Sequence, residues 1–439
     1  MNAVVQTGAP LLARVEKLSH EGRGIARLGD KTVFIDGALP GETVSLRMRR
    51  QRRRFNEAEA IEIVDRSARR VQPRCAHTGL CGGCSLQHMS PEDQLQHKQD
   101  VMLEQLQHMG GTVPERMLAP VSGPPWHYRR RARLSAKWVA RRGRVLVGFR
   151  EKRANLVADI AGCTILHETA SALPERLSAL FTTLSIREHL PQVEIAVGDN
   201  AGVLVIRHLR PFSESDLESL YRFQQSCPLT ICLQPAGVDS MHALDGGPLP
   251  ELYYELPAHG IVIHFRPGDF TQVNFDVNRA LVDRVCTLLA PGPDDDVLDL
   301  YCGLGNFSLP LARLARSVTG IEGDAGLVAR AETNAVRNGL ANTRFGHADL
   351  CAAPACAEVR DGAFNKLLLD PPRSGAREIV ERLDPRRTKL IVYVSCNAAT
   401  LARDTEILCG RAGYRLTHAG VVDMFPHTAH TECLAVFAG

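Results

Sequence analysis

No uninterrupted apolar stretch in the 439-residue sequence approaches the ~20 residues that a membrane-spanning helix needs, so no membrane partner is expected. The N-terminal residues MNAVVQTGAPLLARVEK lack a basic stretch followed by a long apolar one, so no secretory signal is expected and the cytoplasm is the expected compartment. No internal repeat stands out. With 44% hydrophobic and 23% charged residues, the composition excludes global disorder and a fibrous array. A disulfide framework is not expected either. There are thirteen cysteines, an odd number, in a chain without a secretory signal. Nor is there a large net charge, but the overall +3 hides an asymmetry. Residues 1–153 hold 28 Lys+Arg against 15 Asp+Glu, a net of +13, whereas residues 154–439 hold 24 against 34, a net of −10. A basic front on an acidic body suggests a polyanion-binding part joined to something else.

At ~150 residues per domain the length suggests roughly three domains. Residues 11–64 read as short strands (ARVEKLS, GRGIAR, KTVFIDG, ETVSLRM, EAEAIEIVD) separated by turn signals such as Leu39-Pro40-Gly41-Glu42, which predicts a small β-barrel within residues 1–68. Residues 69–265 read as a central α+β domain. It opens with a cysteine-rich loop and a polar helix ending at Gly110-Gly111, then alternates β-like runs with one helix around residues 170–185, plausible as a mostly antiparallel sheet. Residues 266–439 alternate strands and helices, which predicts an α/β fold with a doubly wound, mainly parallel sheet.

The stretch VLDLYCGLGNFS places Gly303 and Gly305 in a turn between a strand and a helix, where backbone can approach a ligand closely. It is Gly-x-Gly rather than Gly-x-Gly-x-x-Gly and fits a dinucleotide poorly. The next strand ends in Gly320-Ile321-Glu322, a third in His347-Ala348-Asp349 and a fourth in Asp370-Pro371-Pro372-Arg373. Any one carboxylate could be a turn residue or helix cap. Four in this order at successive strand ends, facing one crevice, are the layout of S-adenosylmethionine methyltransferases.

KLIVYVSCNAATLARD ends a strand in Ser-Cys-Asn and opens a helix, so Cys396 sits near helix N–H groups that would lower a thiol pKa. A thiolate beside a methyl donor has a chemical use. Uracil C5 is a poor nucleophile, and thiolate attack at C6 makes it enolate-like. A base must afterwards remove the C5 proton, and Glu432 in MFPHTAHTECLAVF is the candidate, although spacing alone fits a solvated loop carboxylate as well. Cys75, Cys81 and Cys84, with Cys163 far along the chain, could hold a [4Fe–4S] cluster or a tetrahedral zinc ion, and spacing does not separate the two. Two basic runs flank that loop: Arg47–Arg54, and Trp126–Arg153 with Trp126, Tyr128, Trp138 and Phe149 interleaved. Phosphate contacts plus stacking surfaces suit folded RNA, while a solvated basic face is the ordinary alternative.

With DFTQVN, LDLYCGLGNFSLPLA, LLLDPPRSG, YVSCNAATLARD and MFPHTAHTE in this order, the sequence resembles the RNA uracil-C5-methyltransferase family over nearly its whole length. It is most similar to bacterial members that form 5-methyluridine in 23S ribosomal RNA. The resemblance implies a TRAM domain for the barrel, and a [4Fe–4S] cluster rather than zinc at Cys75, Cys81, Cys84 and Cys163. It implies Cys396 as nucleophile, Glu432 as base, and S-adenosylmethionine contacts at Gln272, Tyr301, Asn306, Glu322, Asp349 and Asp370, with Phe270 and Asp370 also near an extruded target uracil. The implied partner is 23S rRNA, free or in a pre-ribosomal particle, with no DNA, and the expected state is a monomer. Ala398 replaces the proline usual after Ser-Cys-Asn, which alters loop stiffness more than chemistry.

The family's tRNA-directed members are expected to share only the catalytic half. A different 23S site or a tRNA is the alternative substrate. A cytosine-C5 enzyme would place cysteine where Arg373 stands, and an adenine-N6 enzyme would place an aromatic there. A non-catalytic iron–sulfur assembly factor would need neither Cys396 nor Glu432.

Overall fold

The computed structural model describes residues 11–350 and 364–439. The reading of the N-terminus for a signal falls largely on residues 1–10, outside the described residues.

Six strands open the chain: β1 (Leu11–Arg14), β2 (Lys17–Leu18), β3 (Gly24–Leu28), β4 (Lys31–Asp36), β5 (Thr43–Gln51) and β6 (Phe55–Asp65), in the order β1-β5-β6-β4-β3-β2. Period-two alternation turns Ala26, Val33, Ile35, Val44 and Ala58 inward, so the sheet curls around one small core. The arginine run lies exposed at the end of β5 and in its turn to β6, where Arg47 and Arg49 both reach Glu59.

Helix α1 (Pro91–His108) follows the cysteine loop and is capped by the Ser90 hydroxyl, which accepts from the Asp93 N–H at 3.1 Å. Then come β7 (Arg116–Met117), β8 (Arg131–Val139), β9 (Arg144–Gly148), α2 (Leu173–Thr183), β10 (Gln192–Val197), β11 (Gly202–Arg207), α3 (Glu214–Gln224), β12 (Thr230–Gln234) and β13 (His242–Ala243). The middle sheet runs β13-β12-β11-β10-β8-β9 and is antiparallel except at β11–β12. That parallel pair needs a crossover, and α3 supplies it. Only one helix, near residues 170–185, was expected in this region; α3 is a second. Its signal is a capping box in which Ser213 and Asp216 satisfy each other's backbone N–H groups.

The hairpin β14 (Leu252–Leu256) and β15 (Ile261–Phe265) precedes α4 (Phe275–Leu289), β16 (Asp296–Leu300), α5 (Ser308–Ala312), β17 (Ser317–Glu322), α6 (Ala325–Arg337), β18 (Thr343–His347), β19 (Lys366–Leu369), β20 (Leu390–Ser395), β21 (Arg415–Val422) and β22 (Glu432–Ala438). The large sheet has the order β18-β17-β16-β19-β20-β22-β21-β7. Its first five strands are parallel, and β22 runs antiparallel between β20 and β21. Chain order reverses on either side of β16, which opens a crevice at the strands' C-terminal ends.

The expected division at residue 265 cuts through one packed unit. Tyr254 and Phe265 of the hairpin share a core with Phe275 and Leu281 of α4. Met102 and Leu106 of α1 are buried with Leu401 and Ala402 of the helix Ala398–Gly410. Strand β7 completes the edge of the large sheet against β21. The physical reason is coverage: that sheet has two apolar faces and an open edge, and earlier parts of the chain shield them.

Candidate active site

The crevice is built on the turn after β16. Tyr301 has φ 66°, Gly303 φ 56° and Gly305 φ 89°, a tight left-handed path that glycine tolerates best and that Tyr301 adopts against its preference. Glu322, ending β17, accepts from the Gly303 N–H at 3.0 Å and the Gly323 N–H at 2.7 Å. Asn306 exchanges hydrogen bonds with the Asn278 amide and accepts from the Tyr254 hydroxyl at 2.9 Å. Asp349, just past β18, is exposed, Gln272 is half-buried before α4, and Phe270 is 62% exposed.

Two further carboxyls sit under this turn. Asp299 of β16 is fully buried. It accepts from the Ser308 hydroxyl through one oxygen, and the other has no hydrogen-bond partner among the described residues. Burial first, then the neighbouring Asp370 and Glu322, pushes it up to about 7. Asp370 is partly open to the crevice but densely surrounded, and that surrounding plus Glu322 pushes it to about 7. A crowded acidic pocket with an unpartnered buried oxygen fits a cationic ligand such as S-adenosylmethionine. Asp299 and Asn278 were not singled out in the sequence, though VLDLYC carries the aspartate immediately before the glycine turn.

Cys396 and Glu432 are brought together by register. Ser395 of β20 pairs with Cys433 of β22, so one step further Cys396 and Glu432 stand opposite each other. Cys396 opens onto a cleft of about 990 Å³, walled by His20 of the first sheet, Gly83 and Ser85 of the cysteine loop, Arg129, Arg373 and Phe425. Its thiol is not lowered by the helix that follows. Burial, then Glu432 and Asp370, raises it, with Arg373 opposing. The helix cap is Asn397, whose side chain already accepts from the Ala399 N–H, so the dipole is met there rather than at the sulfur. Glu432 is buried, its Oε2 has no hydrogen-bond partner among the described residues, and burial with Asp370 and Asp423 pushes it to about 8 against the opposing charge of Lys98. His430 touches Arg373, and its burial and that guanidinium hold it below the ordinary imidazole range.

Cys75, Cys81, Cys84 and Cys163 are free thiols lining one small cavity with Phe149, Ile160 and Ile165. Among the described residues no group of three or more His, Cys, Asp or Glu is close enough to hold a single metal ion. Four thiols without disulfide partners around an apolar void suit a larger cluster. The same loop is tied to the connection between β21 and β22: the Ser85 and Leu86 N–H groups both donate to the His427 carbonyl at 2.9 Å.

The basic segment corrects the sequence reading. Tyr128 is buried with its hydroxyl on the Pro426 carbonyl, Trp126 stacks on His427 with ring centroids 3.9 Å apart, and Trp138 and Phe149 pack on the middle core. Several arginines there are committed within the protein: Arg130 to Asp199, Arg133 to Glu194, Arg142 and Arg144 to Asp159, and Arg153 to Asp36. The aromatics are structural rather than open stacking platforms.

No helix among the described residues is long and apolar enough to cross a membrane. A doubly wound sheet with a glycine turn and acidic strand ends at its switch point is the layout of an S-adenosylmethionine-dependent methyltransferase, and the family match and relatives place the chain in that class. More narrowly, the chain belongs to the tRNA (uracil-5-)-methyltransferase family, whose model matches residues 90–438, and a TRAM domain model matches residues 4–61. It is 50% identical over 428 residues to the 23S rRNA (uracil(1939)-C(5))-methyltransferase RlmD of Alkalilimnicola ehrlichii, covering 98% of this chain and 96% of that one. The protein of the same name from Nitrosococcus oceani is 49% identical over 431 residues, again 98% and 96%. The crystal structure of Pyrococcus abyssi tRNA (uracil-54, C5)-methyltransferase in complex with S-adenosyl-L-homocysteine is similar in fold, with TM-score 0.72 and 23% identity over 98% of this chain and 100% of that one. The expectation that tRNA-directed relatives share only the catalytic half is thereby overturned. The whole architecture recurs in a protein named for tRNA, so architecture does not choose the RNA.

Proposed function

We propose that the chain methylates C5 of a uridine in 23S ribosomal RNA, with Cys396 as nucleophile and Glu432 as base. The observation that carries this reading is the register that sets a thiol against a buried carboxyl at the mouth of the donor crevice. Cys396 Sγ, as thiolate, attacks C6 of the uracil, and the electron pair moves to C5. Arg373 is the neighbouring charge that favours that thiolate. S-adenosylmethionine supplies the methyl group that C5 accepts. Glu432 then takes the C5 proton, the C5–C6 double bond re-forms and Sγ leaves. Both ring carbons must be reached, so the base is extruded from the RNA.

Gln272, Tyr301, Asn306, Glu322, Asp349 and Asp370 are the proposed contacts of the methyl donor, and Phe270 with Asp370 those of the uracil. Cys75, Cys81, Cys84 and Cys163 would hold a [4Fe–4S] cluster in a structural or RNA-positioning role, since no step above needs an electron. The protein is proposed to act as a cytoplasmic monomer, on free rRNA or on a pre-ribosomal particle. The choice of 23S rRNA is supported by the names of relatives at 45–50% identity.

The test is incubation with S-adenosylmethionine and unmodified 23S rRNA, with bulk tRNA in parallel, followed by mass spectrometry of the nucleosides. The expected product is 5-methyluridine in rRNA alone, abolished by Cys396→Ala. 5-Methyluridine in tRNA would move the substrate. 5-Methylcytidine or N6-methyladenosine would overturn the roles given to Cys396 and Arg373.

A further inference from the structure

The strongest unexplained feature outside these roles is a buried lysine. Lys98 lies on α1 with 0% exposure, and its Nζ donates to Asp423 Oδ1 at 2.6 Å and to the Phe425 carbonyl at 3.1 Å. Asp423 follows Val422, and Val422 pairs with Glu432 across β21 and β22. The ion pair therefore sits beside the base, at the loop end of the hairpin that carries it. One turn earlier on the same helix, the Gln94 side-chain amide oxygen Oε1 accepts from the His427 N–H at 2.8 Å. Helix α1 thus holds the segment from Asp423 to Glu432 at two points.

A buried lysine–carboxylate pair is a weak device for stability, because desolvating both charges cancels most of their attraction, and apolar residues of the same volume often do as well. Its position suggests another use. Removing the C5 proton requires Glu432 to be ionised in a site that already contains Asp370 and Asp423, with the Cys396 and Cys433 thiols also packed against it. Among the described residues, the charges acting on Glu432 are Asp370 and Asp423, of like sign, and Lys98, of opposite sign.

We propose that Lys98 is a positioning residue for the base: it fixes the hairpin that presents Glu432 and places one buried positive charge beside that carboxyl. This rests on the role given to Glu432 above. The two members of the pair act on Glu432 with opposite sign, since Lys98 favours its ionised form and Asp423 opposes it. A purely structural pair would give both substitutions the same direction of effect.

The test is an infrared titration of the RNA-free, full-length protein, following the carboxyl band of protonated Glu432, assigned by its absence in E432Q. That titration needs no RNA, so it stands whichever RNA is methylated. K98M is expected to raise the Glu432 midpoint by about one pH unit, leaving about tenfold less ionised form at neutral pH. K98R, which keeps the charge, is expected to restore the wild-type midpoint, and D423N to give a midpoint no higher than wild type. The double variant K98M/D423N buries no uncompensated charge, so its core stays packed, and its midpoint should lie close to wild type. In turnover, K98M should accumulate a methylated Cys396–RNA adduct that resolves as pH is raised. An unchanged midpoint in K98M, or an upward shift in both K98M and D423N, would overturn the proposal. If the titration behaves as expected while Cys396→Ala still methylates RNA, the functional reading fails and the electrostatic one survives.

Discussion

The exit from the first sheet is tied down by a charge cluster whose strength can be worked out. Glu42 has a side chain with 0% exposure and accepts four N–H donors: Leu39 at 2.8 Å, Ser67 at 3.2 Å, and Arg70 through Nε at 2.6 Å and Nη2 at 2.7 Å. Arg70 also donates to the Gly37 carbonyl at 2.7 Å and so ties the turn after β4 to the segment leading into the cysteine loop. Arg70→Met leaves the carboxylate buried without its counter-ion, a loss on the order of 3–5 kcal/mol. Against a total stability of roughly 5–15 kcal/mol this is large. An exposed pair such as Arg386–Asp384, by contrast, is screened by solvent and adds little. Burial alone would push the Glu42 carboxyl up. The hydrogen bonds from Arg70, Leu39 and Ser67 and the Arg70 charge overcome that and hold it below the ordinary glutamate range. A depressed carboxyl contributes stability above its unfolded pKa, near 4.5, and loses it as pH falls through the folded value. The Arg70→Met penalty should therefore be full at pH 7 and shrink under acid. Guanidinium unfolding at pH 7 and at pH 4, with protease cleavage near residues 66–74 as a local readout, measures both. A loss below about 1 kcal/mol at pH 7, or one that grows in acid, would refute the reasoning.

Glu432→Gln should still form the Cys396 adduct and transfer the methyl group but lose about a hundredfold or more in release, seen as a denaturant-stable protein–RNA complex on a gel. Because burial raises the Cys396 thiol and Arg373 opposes that, iodoacetamide labelling of RNA-free protein should be slow at pH 7, speed up as pH rises, and be slower still in Arg373→Gln, as followed by peptide mass spectrometry. Gly320→Ala would set a Cβ 2.7 Å from the Phe345 ring and 2.9 Å from Cys302 Sγ, so it should cost about 1–3 kcal/mol by thermal unfolding and weaken donor binding by calorimetry.

The strand-end residues were legible because a parallel sheet delivers every strand's C-terminal end to the same side, whatever the details of packing. Glu322, Asp370 and Cys396 needed only local pattern to be placed. Lys98 and Asp423 were not legible, being 325 residues apart in the chain and joined only when α1 packs against the last hairpin. The aromatics after residue 125 misled for the same reason: Trp126 and Tyr128 look like stacking platforms until His427 and Pro426 arrive to cover them. The direction of the Cys396 shift was missed because a helix start is visible in sequence, while burial and the approach of Glu432 and Asp370 from two neighbouring strands are not.

The packing across residue 265 bears on modularity. A fragment beginning at residue 266 would keep every motif of the methyl-donor site, yet it would lack the helix that covers Leu401 and Ala402, the hairpin seated on Phe275, and the short strand that closes β21. It would present bare apolar faces and an unpaired sheet edge, which is a template for self-association. Grafting residues 266–439 onto another RNA-binding module would therefore mean carrying along the helix, the short strand and the hairpin of the middle segment, because these two segments are interlaced rather than strung together as separable parts.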